Sequence, residues 1–181
     1  MVKNRRKISK ETLYFKVLSV ALKLEFERGH LAWSMTELAK ESKISRPTIY
    51  YYFGNSKKKI LLEAITAFGD EVTGQTPEHI KLWKSGNFSE SFNVAKRFID
   101  TIPGIIPFYF IHRGLTSSIG KEIKKIEQAH QDKISKFFPE LNDIEVDAAC
   151  AMLTGLIFAP TKSAEVVSYG AELLLKSIIK K

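Results

Sequence analysis

The stretch ISRPTIYYYF, residues 44–53, combines a serine that can cap a helix, an arginine and a proline in the turn that follows, and three consecutive tyrosines. Successive helical positions are rotated by about 100°, so three adjacent rings cannot all face one core. At least one of Tyr50, Tyr51 and Tyr52 is expected to point outward and meet something outside the fold.

The flanking residues give this stretch its setting. Upstream, SMTE at residues 34–37 is a capping box: Ser34 can accept from the Glu37 amide while the Glu37 side chain returns to the Ser34 amide. A short helix is predicted from there to about Ser42. After a turn at Lys43 and Ile44, Ser45 is a second N-cap, and Pro47 sits in the first turn, where its missing amide hydrogen matters little. A first helix is predicted from about Ser9 to Arg28, with Tyr14, Leu18, Ala21 and Leu22 on one face and Gly29 ending it. Beyond FGNS a longer helix starts near Lys57 and carries Ile60, Leu61, Ala64, Ile65 and Phe68.

Two short helices joined by a tight turn form a helix-turn-helix, whose second helix enters the major groove of DNA while the first crosses the backbone. The chemistry of SRPTIYYY suits that task. Arg46 stands at the helix start, and its planar fork can donate twice to guanine O6 and N7. Thr48 offers a hydroxyl and a methyl, and Pro47 an apolar edge for a thymine methyl. The hydroxyls of Tyr50, Tyr51 and Tyr52 can reach phosphates or bases while at least one ring packs inward. The amides at the helix starts capped by Ser34 and Ser45 can bind phosphate, as can Lys57, Lys58 and Lys59. Capping boxes are common and lysine runs are usually solvated, so charge has to decide.

The chain of 181 residues has a formal net charge of +8. Residues 1–60 hold 14 Lys and Arg against 5 Asp and Glu, a net +9, and residues 61–181 hold 14 against 15, a net −1. All the excess lies in the first third, an electrostatic footprint for a polyanion, either nucleic acid or an anionic membrane surface.

With those residues in place, the chain resembles the tetracycline-repressor (TetR) family of bacterial transcription regulators. ALKLEFERG, MTELAKESKISRPTIYYYF and KKKILLEAI carry the likeness, which covers about residues 13–63. The resemblance implies a DNA-binding domain over residues 1–56 and a helical regulatory and dimerisation domain over 57–181. It implies that Ser34 caps the second helix and touches phosphate. Arg46, Pro47, Thr48 and Tyr51 become base-side or groove contacts, Tyr50 and Tyr52 phosphate or sugar contacts, and Lys57 a phosphate lysine. Three positions depart from the pattern: Lys43 stands where glycine is usual, Glu25 where phenylalanine is usual, and FGNSK is one residue longer than the usual spacing. A β-carbon at a left-handed turn costs about 1 kcal/mol, the expectation for Lys43.

The rest of the chain reads as helix throughout, with segments predicted at about 78–85, 89–101, 105–113, 117–138, 143–159 and 163–179. Pro77, Gly86, Pro103, Gly104, Pro107, Gly114, Pro139 and Pro160 punctuate them. The fold class is therefore all-α. In this family the C-terminal helices form a ligand chamber and a dimer interface. Phe88, Phe92, Phe98, Phe108, Tyr109 and Phe110 cluster within 23 residues and can line a pocket for a small apolar or aromatic ligand, with His112 as a hydrogen-bonding group, or can equally fill a core. Ala148, Ala149, Ala151, Gly155 and Ala159, with Ala164, Val167, Ala171, Leu174 and Ile178, are candidates for a four-helix seam in a homodimer.

Other classes fit less well. GLTSSIGKE has five residues between its glycines where a phosphate-binding loop has four, and Glu122 replaces the magnesium-holding Ser or Thr. His30, His79, His112 and His130 make no metal-ligand spacing, and there is no nucleophile elbow, so neither a metal, a cofactor nor catalysis is expected. The longest uncharged run, AACAMLTGLIFAPT, has 14 residues, short of a bilayer span. Cys150 is the lone cysteine, which suits a buried thiol and a cytoplasmic protein. The alternative function is a basic helical protein that binds membrane surfaces or nucleic acid without sequence preference.

Overall fold

A computed structural model describes residues 9–102, 104–160 and 163–179. The described residues form helices α1 (Lys10–Arg28), α2 (Met35–Ser42), α3 (Arg46–Phe53), α4 (Lys57–Val72), α5 (Pro77–Lys84), α6 (Phe88–Asp100), α7 (Ile105–His112), α8 (Ser118–Phe137), α9 (Asp143–Phe158) and α10 (Ala164–Ile179). No strand occurs among them. The protein is all-α, as its 3.6-residue periodicity requires. Pro103 lies outside the described residues. Pro107 does not break a helix: it is the third residue of α7, where no intrahelical amide bond is needed.

The chain divides into two compact units, residues 1–64 and 65–181, with the division inside α4. In the first unit α2 packs on α1 and on α3. Its core is Val17, Ala21, Leu24, Trp33, Leu38, Ile49, Phe53, Ile60 and Leu61, each 1% exposed or less. These apolar residues recur at helical spacing, and their burial contributes roughly 25 cal/mol per Å² of apolar surface removed from water. The caps set the helix starts. Ser9 and Ser45 accept from the Thr12 and Thr48 amides, and Ser34 and Glu37 make the full reciprocal box.

The second unit is built on α6, which packs most extensively on α10 and also on α5 and α9; α8 packs on α7 and α9. Its centre is Trp83, 2% exposed. Phe88 and Phe137 stand edge-on to it with centroids at 5.1 Å, and Phe92 and Phe138 lie at 6.0 and 6.3 Å. The Trp83 indole donates to Ser91 Oγ at 2.9 Å, so its one polar group is satisfied. Lys133, 5% exposed, places its ammonium 3.7 Å from the Trp83 ring centroid and donates to the carbonyls of Thr73 and Gly74, just past the C-terminus of α4. A cation there meets the negative end of the helix dipole. Even so, burial holds its pKa down at about 7.

Candidate nucleic-acid interface

The turn between α2 and α3 is three residues long. Lys43, at the usual glycine position, adopts φ 57° and ψ 29°, the left-handed conformation that the turn demands. Ile44 is buried, which anchors the turn from below, and Ser45 caps α3. The strain at Lys43, about 1 kcal/mol, is offset by the apolar contacts on either side.

The tyrosine triplet resolves as geometry requires. Ile49 and Phe53, one turn apart, are 0% and 1% exposed and fix the inner face of α3. Tyr50 is half-buried, Tyr52 is 37% exposed and Tyr51 is 82% exposed. Tyr52 stands edge-on to Tyr51 at 4.9 Å and to Tyr14 at 6.0 Å, and Tyr14 tilts against Phe53 at 4.6 Å. The exposed ring is thus braced through its neighbours against α1. Arg46 donates from Nη2 to the Tyr50 hydroxyl at 2.9 Å, with its guanidinium 5.6 Å from that ring's centroid. The contact orients the guanidinium at the helix start and leaves further N–H groups to donate. Pro47 is exposed, and Thr48 is half-buried with its hydroxyl 2.7 Å from Ser45 Oγ.

Ser34 is exposed at the start of α2. Its hydroxyl and amide, bonded to Glu37, hold the Glu37 carboxyl below the usual carboxylate range. Lys57 is half-buried and donates to the carbonyls of Leu31 at 2.6 Å and Trp33 at 2.9 Å, so two of its three N–H groups hold the α1–α2 loop. Lys58 and Lys59 are exposed.

Of the residues expected at a ligand pocket, the structure brings together two. A cavity of about 50 Å³ in the second unit is lined by Phe108 and Tyr109 with Ile65, Phe68, Val72, Ile105, Ile123, Ile126, Glu127, His130, Thr154 and Phe158. Phe92 lies instead in the Trp83 cluster, Phe98 packs on Phe68 at 5.7 Å, and His112 stacks on Phe108 at 4.5 Å; none of the three lines the cavity. Tyr109, Glu127, His130 and Thr154 also border a wetter cleft of about 370 Å³, which adds Arg113, Gln131, Asp147 and Cys150. Arg113 pairs with Glu127 at 3.0 Å, and Tyr109 donates to the same carboxylate. Burial and then Glu127 push the Tyr109 phenol up, and burial holds His130 down at about 3, so the imidazole is neutral. Cys150 is raised to about 11, chiefly by burial, and is an unreactive thiol. Of the α8 residues of this cavity, Ile123, Ile126 and Glu127 show only helical spacing in the sequence, and His130 stands out there only as a histidine without metal-ligand spacing.

Outside these sites, Ala149, Val167 and Ala171 of the expected seam are buried within the chain, at 1%, 0% and 0%. The outward stripe consists of Ile144, Ala148, Ala151, Met152 and Gly155 on α9, and of Val166, Tyr169, Leu173 and Ser177 on α10. Among the described residues no helix is long and apolar enough to cross a membrane, and no group of His, Cys, Asp and Glu could hold a metal ion.

A braced, basic helix-turn-helix in the first unit is the architecture that places a helix in the major groove of DNA. Residues 17–64, which run from α1 to the edge of the first unit, match the model of the tetR family of bacterial regulatory proteins. The fold is similar to that of a tetR-family transcriptional regulator from Streptomyces coelicolor, with TM-score 0.58 and 16% identity over 95% of this chain and 84% of the other. It is also similar to the TetR family transcriptional regulator PfmR from Thermus thermophilus, with TM-score 0.51 and 22% identity over 89% and 94%. No curated protein matches the sequence. Residues 17–64 are thus a tetR-family DNA-binding region.

Proposed function

We propose that the protein binds a near-palindromic DNA operator as a homodimer, represses transcription there, and is released when a small apolar or aromatic ligand occupies the second unit. The observation that carries the DNA reading is the outward edge of α3: Tyr51 at 82% exposure beside an Arg46 already oriented by Tyr50. A ring of that size left largely in water is unusual for a structural residue and suits groove contact. Arg46 reads a guanine, Pro47 and Thr48 flank a thymine methyl, Tyr50 and Tyr52 meet the sugar–phosphate chain, and Ser34, Ser45 and the third N–H of Lys57 meet phosphates.

The outward stripes of α9 and α10 support the homodimer. Their exposed apolar residues at helical spacing match a self-complementary four-helix seam, and a two-fold axis through it relates two α3 helices that read inverted half-sites. The apolar cavity of about 50 Å³ and the adjoining cleft of about 370 Å³, both bordered by Tyr109, Glu127 and His130, together support the ligand. A ligand that favours the state in which the two α3 helices are out of register with the operator lowers DNA affinity by linkage.

Selection of bound duplexes from a random-sequence pool tests this. The expected result is enrichment of an inverted repeat whose half-sites are about one helical turn apart. Enrichment of no sequence leaves only a non-specific basic module and removes the reading.

A further inference from the structure

The loop between α1 and α2 is held from both sides by charged groups. Glu25, near the end of α1, is 3% exposed. Its carboxylate lies 2.6 Å from His30 Nδ1 and accepts from the Leu31 amide at 2.9 Å and from Trp33 Nε1 at 2.8 Å. From the other side Lys57, at the start of α4, donates to the carbonyls of Leu31 and Trp33. Between them Leu31 sits at φ 53°, a left-handed conformation that a leucine keeps only where its surroundings over-determine it.

A loop that merely joins two helices needs none of this. Burying a carboxylate is costly unless donors surround it, and a glycine would take the left-handed position without strain. What the arrangement delivers is Ser34: the residue that follows Trp33 is the N-cap of α2, and its capping box orients the amides of that helix's first turn. Only a rigid loop fixes where those amides stand.

We propose that Glu25 is a positioning residue for the DNA interface: with Lys57 it locks the α1–α2 loop so that the N-terminus of α2, through Ser34, meets a duplex phosphate. This rests on the reading of α2 and α3 as the DNA-binding elements. Lys57 then acts on DNA through the loop as well as through its charge. Trp33, fully buried, contributes both a donor to Glu25 and a carbonyl to Lys57.

The test is a double-mutant cycle on the full chain, read as affinity for a random-sequence duplex at low salt, where phosphate contacts dominate. Glu25→Gln keeps the shape of the side chain but removes its charge and one acceptor. It is expected to weaken binding about tenfold, and Ser34→Ala about fivefold. The double variant is expected to bind within about twofold of Glu25→Gln alone, because the contact made through Ser34 is already displaced. Trp33→Phe, which deletes one donor to Glu25 and keeps apolar bulk, is expected to show the same non-additivity with Ser34→Ala on a smaller scale, and serves if Glu25→Gln loses its far-ultraviolet helical signal. Fold-changes that multiply in the double variants, or a folded Glu25→Gln that binds like the wild type, overturn the positioning role alone. A wild-type chain with no affinity for duplex overturns the DNA reading and this role together.

Discussion

The two units hold their exposed aromatic and apolar groups in opposite ways. In the first, the outward residues of α3 are individually braced: Tyr51 leans on Tyr52, Tyr52 on Tyr14, and Arg46 is bonded to Tyr50. In the second, Ile144, Met152, Val166, Tyr169 and Leu173 form exposed stripes along α9 and α10, while other rings gather inside around Trp83. A surface meant to read a duplex must present particular atoms at fixed places, whereas a surface meant to bury itself against a copy needs only area and shape. The contrast supports the proposed division of the chain into a recognition face and an association face.

The largest expected effect lies in the interior of the second unit. Trp83→Ala removes the ring at its centre and is expected to cost about 3–5 kcal/mol of stability, read from urea unfolding followed by circular dichroism. A cost below about 1 kcal/mol would mean that the cluster collapses around the loss and is not the organising core.

Next comes the association face. Met152 is 51% exposed and Leu173 53% exposed, so Met152→Glu and Leu173→Glu together place no charge in the core of the chain. They are expected to raise the dimer dissociation constant more than a hundredfold, about 2.7 kcal/mol, in sedimentation experiments. Unchanged assembly would move the seam off α9 and α10.

On the recognition face, Arg46→Ala is expected to cost about 1–3 kcal/mol on the selected operator and to relax preference at one base pair per half-site. Lys57→Ala is expected to weaken binding to all duplexes alike. If both changes act uniformly across sequences, Arg46 is not a base contact.

How far each face could be read from the sequence follows from the same contrast. The recognition elements are local: Ser34 with Glu37, Ser45 with Thr48, and a turn whose left-handed residue is forced by its brevity, so a few adjacent residues specify them and helix boundaries fell within about a residue of expectation. Glu25 was visible only as a departure from the family pattern. A glutamate among apolar residues reads as a surface position until the left-handed Leu31 folds three donors over it. In the second unit Phe108 and Tyr109 were legible as aromatic residues on a short helix. Their cavity partners Glu127, His130 and Thr154 belong to α8 and α9, and tertiary packing alone joins them. Phe92 and Phe98 look identical in sequence to Phe108, and only the packing of α6 sends them elsewhere. The same applies to Ala149 and Ala171, small residues that fit a dimer seam on composition and prove to be internal.

The smallest effect is a pH dependence confined to the second unit. Burial lowers Lys133 to about 7 from an ordinary 10.5, so above pH 7 the unfolded chain binds the proton that the folded chain has lost. Stability from this group therefore rises with pH from about 7 towards 10.5, by about 1 kcal/mol over the first unit or so of pH. His130, held at about 3, changes stability only below its ordinary 6.5, and Cys150, raised to about 11, opposes the trend only above 9. Urea midpoints measured between pH 7 and 8.5 should climb, and Lys133→Met should flatten the climb. A wild-type curve that is flat in that window contradicts the burial of an ionisable lysine beside Trp83.

The most direct measurement of the recognition face is methylation interference at guanine N7 on the selected operator, compared between the wild type and Arg46→Ala. One guanine in each half-site should block the wild type when methylated and should no longer matter to the variant. Identical interference patterns for the two proteins would mean that the arginine beside the tyrosine edge of α3 never reaches a base.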